Sequence, residues 1–238
     1  MSDRRFVKLS DISDVKVGLQ TGDNEYYLRK CEGARGNYQM LDESLLLTDY
    51  EIAILSDDEK ENGIDPHRYG GKHFLPYDKG GASDAQGGWL PNYYVPTQYF
   101  INWSKSAVNR LKNDPRARFQ NSQFYFKEGL TFSSRGEYSP TFRIKCPGPF
   151  DKESSCIFSN SDTVNLIGIL ASKTIKYLFR SFIQDTVSSD VDSLKEIVLL
   201  TDCDSSNYVN QIISNQRVNL QYDYINRTYP KTSITWLI

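Results

Sequence analysis

Apolar residues recur at intervals of three and four between residues 162 and 184, the strongest helical pattern in the chain. This spacing places them along one face of an amphipathic helix, which Ser161 or Asp162 can cap. The residues of that face are Leu166, Ile167, Leu170, Ile175, Leu178, Phe179, Phe182 and Ile183. The pattern predicts a long helix packed on a core, then a buried strand within 194–200 and a last amphipathic helix over 205–218.

Two shorter helices are predicted from their capping residues. Thr48 and Glu51 have the spacing of a capping box, which begins a helix that Gly63 can end. Ser104 can cap a second helix, which stops near Asp114 because a proline follows. Both helices are short, and we place them at the periphery of the fold.

Strand patterns fill much of the remaining chain. Residues 123–158 alternate between apolar and polar positions, which is typical of antiparallel strands joined by turns. Residues 5–30 predict a strand, a turn over Thr21–Asn24 and a second strand. We therefore predict an α+β fold: a mixed, twisted sheet with a long packed helix at about 162–184 and short peripheral helices.

The stretch from Lys72 to Arg135 interleaves aromatic rings, glycines, lysines and small hydroxyl side chains. A folded core does not require this mixture, but a surface that holds phosphates and touches bases does. Lys79-Gly80-Gly81 is a candidate for close approach to a phosphate, with a plain surface turn as the alternative. Ser133-Ser134-Arg135 follows a predicted strand and is a candidate for base contact, with a polar hairpin as the alternative.

Charge is distributed unevenly along the chain. The whole chain has a net charge of −2, but residues 1–65 hold 8 Lys/Arg against 15 Asp/Glu. Residues 66–150 hold 12 Lys/Arg against 5 Asp/Glu, and residues 151–238 hold 8 against 10. The basic block coincides with the aromatic and glycine-rich stretch, which favours a polyanion as partner. The alternative is that a block of sequence does not form one surface.

Composition and motifs exclude several classes of function. No apolar run approaches the roughly 20 residues of a membrane span, and the first residues lack the apolar region of a secretory signal. Phosphate-loop, dinucleotide and nucleophile-elbow motifs are absent. No metal site is predicted, since paired spacing is missing among Cys31, Cys146, Cys156 and Cys203. We therefore expect a cytoplasmic chain that is not an enzyme by itself.

Five phrases occur in an order that resembles a known family. They are GLQTGDNEYYLRK at 18–30, HFLPYDKGG at 73–81, YFINW at 99–103, NSQFYFKEGLTFSS at 121–134 and FRIKCPGPFDKESSCIF at 142–158. The chain resembles the target-recognition domain of N6-adenine DNA methyltransferases, of the BREX-type and type IIG restriction–methylation kind and distantly TaqI-like. Phe132 stands where the family commonly has tryptophan. The tail at 222–237 is similar to a family segment that continues further, which favours a piece of a longer protein.

The resemblance implies that this chain recognises DNA but does not catalyse a reaction. The family's catalytic half carries a cofactor motif and an [ND]-P-P-[YF] tetrapeptide, and this chain has neither. S-adenosylmethionine is thus expected for the parent enzyme, and a catalytic methyltransferase domain, in cis or in trans, is an expected partner beside double-stranded DNA. We place the recognition domain at 1–200 and a C-terminal helix and tail at 201–238. The expected DNA-binding residues are Lys72, Tyr77, Lys79, Gly80, Gly81, Lys127, Thr131, Ser133, Ser134, Arg135 and Arg143.

Two other classes of function stay open. The helix at 162–184 could dock a partner chain, which would make this a protein-interaction module. Scattered carboxylates could serve a stand-alone nuclease. Thr21 and Asn24 are expected to fix a turn rather than to touch DNA. Salt-dependent binding to a duplex separates DNA recognition from protein docking, and metal-dependent cleavage separates the nuclease.

Overall fold

The computed structural model describes residues 6–80, 90–133, 140–184, 189–200 and 202–221. Its strands are β1 (Phe6–Lys8), β2 (Ser13–Lys16), β3 (Leu28–Lys30), β4 (Gln39–Met40), β5 (Phe74–Tyr77), β6 (Tyr99–Asn102), β7 (Leu130–Phe132), β8 (Phe142–Ile144), β9 (Cys156–Ser159) and β10 (Val198–Leu200). Its helices are α1 (Leu9–Ile12), α2 (Asn24–Tyr27), α3 (Asp49–Ala53), α4 (Asp57–Asn62), α5 (Lys105–Asn113), α6 (Thr163–Leu170), α7 (Lys173–Leu178), α8 (Val191–Lys195) and α9 (Ser206–Gln221). A π-helical turn, Phe179–Ile183, follows α7.

These strands form three sheets, whereas the sequence predicted one. The N-terminal sheet has the order β4-β3-β6-β5, and the second sheet has the order β2-β9-β7-β8. A two-stranded ribbon joins β1 to β10. In the N-terminal sheet β3 is parallel to β4 and antiparallel to β6, so this sheet is mixed as predicted. Helices and mixed sheets together confirm the α+β class.

Two hydrophobic clusters stabilise these layers. The first lies on the N-terminal sheet and is centred on the fully buried Trp103, Tyr125 and Phe150. The second packs α6, α8 and α9 on the second sheet, and Val209 and Ile213 of α9 are buried in it. Burial of large apolar side chains of this kind is the main favourable term in folding. Within the described residues, no helix has both the length and the apolar composition needed to cross a bilayer.

The long helix predicted at about 162–184 is divided into shorter pieces. The Oγ of Ser172 accepts a hydrogen bond from the amide of Ile175 at 3.2 Å and begins α7 as an N-cap. The chain then widens into the π-helical turn, which Gln184 closes by donating its amide to the carbonyl of Phe179 at 2.8 Å. The prediction of one continuous helix was therefore wrong, because a capping side chain interrupts it.

Capping also divides the helix predicted between Thr48 and Gly63. Thr48 forms the predicted capping box with Glu51, which confirms the start of α3. Ser56 and Glu59 form a second capping box, so α4 is a new helix. Gly63 ends α4 with a φ of 92°, a backbone conformation that favours glycine. Residues 105–113 form the helix that Ser104 was expected to cap.

Candidate nucleic-acid interface

Six predicted site residues meet where β5, β7 and β8 approach the segment 150–155. They come from three separate parts of the chain and surround the carboxylate of Asp151 and the guanidinium of Arg143. The six are Tyr77, Lys79, Gly80, Thr131, Ser133 and Arg143. The structure therefore brings together residues that the sequence singled out separately, and it makes most of them buried.

Asp151 is the centre of a buried hydrogen-bonded group. Its Oδ2 accepts hydrogen bonds from the Tyr77 hydroxyl and from Lys79 Nζ, each at 3.1 Å. Its Oδ1 accepts from the backbone amide of Glu153 at 2.8 Å. Burial, and then the charge of Asp151, raise the pKa of Tyr77 well above its ordinary value. Lys79 and Tyr77 thus hold an internal carboxylate in place.

Gly80 lies where the chain approaches itself closely. A Cβ added at Gly80 would overlap the backbone of Glu153 and Ser154. The close backbone approach expected of this glycine is therefore made to the protein's own segment 153–154. This contact fixes the end of β5 against the loop that carries Asp151.

Arg143 is buried among hydroxyl groups. Its Nη1 donates to Thr141 Oγ1 at 2.7 Å, and its Nη2 donates to Ser133 Oγ at 3.1 Å. Within the described residues, no carboxylate lies within ion-pair distance of it. Burial lowers the pKa of Arg143 to about 10. Beside it, Thr131 Oγ1 and Ser154 Oγ share a hydrogen bond of 2.6 Å.

A larger cavity of about 410 Å³ opens on one side of the Lys79–Asp151 pair. Three parts of the sequence meet there: the T-G-x-N turn, Lys79 and the D-K-E segment. The lining residues are Gln20, Thr21, Gly22, Asn24, Lys79, Asp151, Lys152 and Glu153. The hydroxyl of Thr21 donates to Asn24 Oδ1, so these two residues fix the turn as predicted.

Lys79 also lines a smaller cavity of about 40 Å³. Arg143, Thr131 and Ser154 line it together with Asp78 and Gln98. Burial raises the pKa of the Asp78 carboxyl, and the positive charge of Lys145 opposes this rise. Lys79 lines both cavities, so the two are neighbouring parts of one polar region.

The remaining predicted lysines lie away from this region. Lys72 Nζ pairs with Glu51 at 2.9 Å, outside both cavities. Lys127 is exposed, with its Nζ 4.8 Å from the centre of the Phe124 ring. Gly81, Ser134 and Arg135 lie outside the described residues. Their predicted roles stay predictions.

Several side chains of this region were not predicted from the sequence. Lys152 is exposed, and its Nζ donates to Gln20 Oε1 at 3.4 Å. Arg118 is also exposed, and its backbone pairs with that of Gln20. Gln98 lines the smaller cavity. Lys152 belongs to the phrase FDKESS, but it lies in a block of net negative charge, and only the tertiary structure places it beside Gln20.

Comparison with known proteins shows a similarity over part of the chain. No protein-family model matches this chain. A stretch of 96 residues, 40% of the chain, is 30% identical to the adenine-specific methyltransferase BrxX of Escherichia coli O9:H4 (strain HS). The matched stretch spans 8% of the length of that protein. Part of this chain is therefore similar in sequence to an adenine-specific methyltransferase.

Proposed function

We propose that this chain is a sequence-specific double-stranded DNA recognition module of an adenine-specific DNA methyltransferase, in a restriction-modification or phage-defence system. The observation that carries the proposal is the meeting of the T-G-x-N turn, Lys79 and the D-K-E segment around the 410 Å³ cavity. The partial similarity to BrxX supports the same conclusion. In this proposal the chain recognises its target and does not catalyse methyl transfer.

Exposed cations next to the larger cavity are the candidates for phosphate contact. Arg118 and Lys152 both adjoin Gln20 on the cavity wall. A third exposed cation, Lys127, lies away from the cavity, over the Phe124 ring that Lys16 also approaches at 5.2 Å. Cations held at fixed positions beside a polar cavity would orient a duplex, while the cavity walls contact base edges.

The catalytic partner in this proposal is a separate methyltransferase domain, joined in cis or bound in trans. It would supply S-adenosylmethionine and the flipped-base pocket that such chemistry needs. This chain would place the target sequence against that domain. The predicted boundary between a recognition domain at 1–200 and a C-terminal segment at 201–238 stays part of this proposal. In the described structure, α9 packs on the second hydrophobic cluster.

The test is salt-dependent binding to a duplex. The three exposed cations Arg118, Lys127 and Lys152 are changed to methionine together, and fluorescence anisotropy of a labelled 30-base-pair duplex is measured across a salt series. The slope of log K against log salt should fall by about 0.9 for each phosphate that the variant no longer neutralises. The matched control changes Lys8, Lys60 and Lys195, which pair with acidic side chains elsewhere. Equal slopes for the two triple variants, or no duplex binding by wild type, would refute the proposal.

A second candidate function is docking of a partner protein through the region 162–184. Tyr177 and Phe182 are 66% and 76% exposed, and their ring centroids lie 6.4 Å apart in an edge-to-face arrangement. Exposed aromatic pairs are typical of protein interfaces. If this is the function, Tyr177→Ser with Phe182→Ser should abolish binding to the catalytic domain and leave duplex affinity unchanged. Titration of each variant with both partners separates the two functions.

A further inference from the structure

The smaller cavity is lined by a buried cation, Arg143, whose hydrogen-bonding capacity is only partly used by the described residues. Arg143 is 5% exposed, and its partners are the hydroxyls of Ser133 and Thr141 and the Thr141 carbonyl. A guanidinium has five N–H donors. Burial of a cation is costly unless an anion or enough acceptors compensate it. The cavity that Arg143 lines is where a further acceptor can reach it.

The same cavity contains a buried acceptor without a donor. Gln98 lines the cavity, and its Oε1 is buried with no hydrogen-bond partner among the described residues. Such an orphan acceptor destabilises a folded protein, and a ligand that donates a hydrogen bond to it would offset this cost. Arg143 and Gln98 therefore present a donor and an acceptor to one small space.

The mixture of donors and acceptors selects the chemistry of the ligand. A phosphate group only accepts hydrogen bonds, so Arg143 and Lys79 would attract it, but it would lie beside the Asp78 carboxylate and leave Gln98 Oε1 without a donor. A nucleobase edge carries donors and acceptors side by side. The hydroxyls of Thr131 and Ser154 can either donate or accept, so they fit such an edge as well.

The size of the cavity limits what enters it. A volume of about 40 Å³ accommodates a few water molecules. A whole base does not fit, but two or three polar atoms on the edge of a base do. We propose, on the basis of the DNA-recognition function above, that this cavity is a base-reading pocket in which Arg143 and Gln98 determine one position of the target sequence.

The test is selection of binding sites from a duplex library with a randomised centre. Wild type, Arg143→Lys and Gln98→Met are compared. The melting temperature of each variant shows whether it is folded. Arg143→Lys keeps the charge but removes the planar fork of donors. Gln98→Met removes the orphan acceptor, so it should leave the melting temperature unchanged or raise it. Arg217→Lys and Gln211→Met, both exposed on α9, are the matched controls.

Base preference should fall about 5- to 150-fold at one and the same position in both cavity variants, with other positions and the salt dependence unchanged. A preference that is unchanged at every position in Gln98→Met would overturn the inference, even if Arg143→Lys does not fold. Uniform weakening on all sequences with a flatter salt slope would assign Arg143 to phosphate and overturn it too. If wild type enriches no sequence, the recognition function itself fails, and this inference fails with it.

Discussion

Replacement of Lys79 by methionine distinguishes an internal ion pair from a phosphate contact. The sequence suggested that Lys79 approaches a phosphate, while in the structure its Nζ lies 3.1 Å from Asp151 Oδ2. The two side chains are 14% and 8% exposed, so water compensates little of either charge. Methionine keeps much of the length of the lysine stem and removes the charge. Among the described residues, Asp151 would then keep only two neutral donors, the Tyr77 hydroxyl and the Glu153 amide.

The expected loss of stability follows from this burial. Removal of one partner of a buried ion pair costs about 3–5 kcal/mol, because the other charge stays buried without compensation. The slight exposure of both side chains and the two remaining donors place Lys79→Met near 3 kcal/mol, roughly the low end of that range. For a chain of this size, the melting temperature should fall by about 6–12 °C.

Thermal unfolding followed by circular dichroism at pH 7 measures this loss. Lys72→Met is the matched control, because the Lys72–Glu51 pair is more exposed, at 28% and 21%, and Thr48 also hydrogen-bonds Glu51. The control should cost about 1 kcal/mol or less. Asp151→Asn added to Lys79→Met should recover part of the loss, since no charge is then left unpaired. If Lys79→Met melts within a degree of wild type and flattens the salt dependence of duplex binding, Lys79 binds phosphate and the reasoning is wrong.

Three further predictions concern the cofactor, the C-terminal helix and pH. Isothermal titration with S-adenosylmethionine should show no binding, and a micromolar dissociation constant would contradict a pure recognition role. Gln216→Ala should lower the free energy of unfolding by about 1–3 kcal/mol in urea, and Gln211→Ala should not, because Gln216 hydrogen-bonds the backbone of Asn92 and Tyr94. Burial alone raises the pKa of Glu59, but hydrogen bonds from Ser56 and Tyr69 lower it overall. Wild type should therefore have a higher free energy of unfolding than Glu59→Gln near neutral pH, and this difference should shrink as the pH falls below about 5. Urea unfolding at several pH values measures it.

Local sequence patterns predicted where helices and strands lie better than they predicted where a helix is interrupted. The spacing of apolar residues between 162 and 184 correctly placed Ile167 and Phe179 in the core. It did not predict the interruption, because Ser172 acts through one hydrogen bond to a backbone amide and leaves the apolar spacing almost intact. The second capping box, Ser56 with Glu59, was visible in the sequence by the rule that found Thr48 with Glu51.

The candidate site depends on contacts that are distant in sequence. Glycine at position 80 was expected to approach a phosphate, and in the structure it lies against segment 153–154, about seventy residues away in sequence. The partner of Lys79 is 72 residues away, so no local pattern identifies it. Ser133 and Arg143 were both singled out, yet their mutual hydrogen bond follows from strand pairing between β7 and β8. Residue types therefore indicated where polar chemistry lies, and the fold decided which groups are available to a ligand.

The distribution of charge along the chain shows most clearly that residue types alone do not determine which groups reach a ligand. The block 66–150 carries a net charge of +7, but the fold pairs much of it with the acidic first third of the chain. These pairs are Arg68–Glu59, Lys72–Glu51, Lys105–Asp58 and Arg110–Asp23. Seven phosphate contacts would give a salt slope of about −6, whereas Arg118, Lys127 and Lys152 alone would give about −2.7. A measured slope near the smaller value would mean that the paired cations stabilise the fold and that the exposed ones hold the duplex.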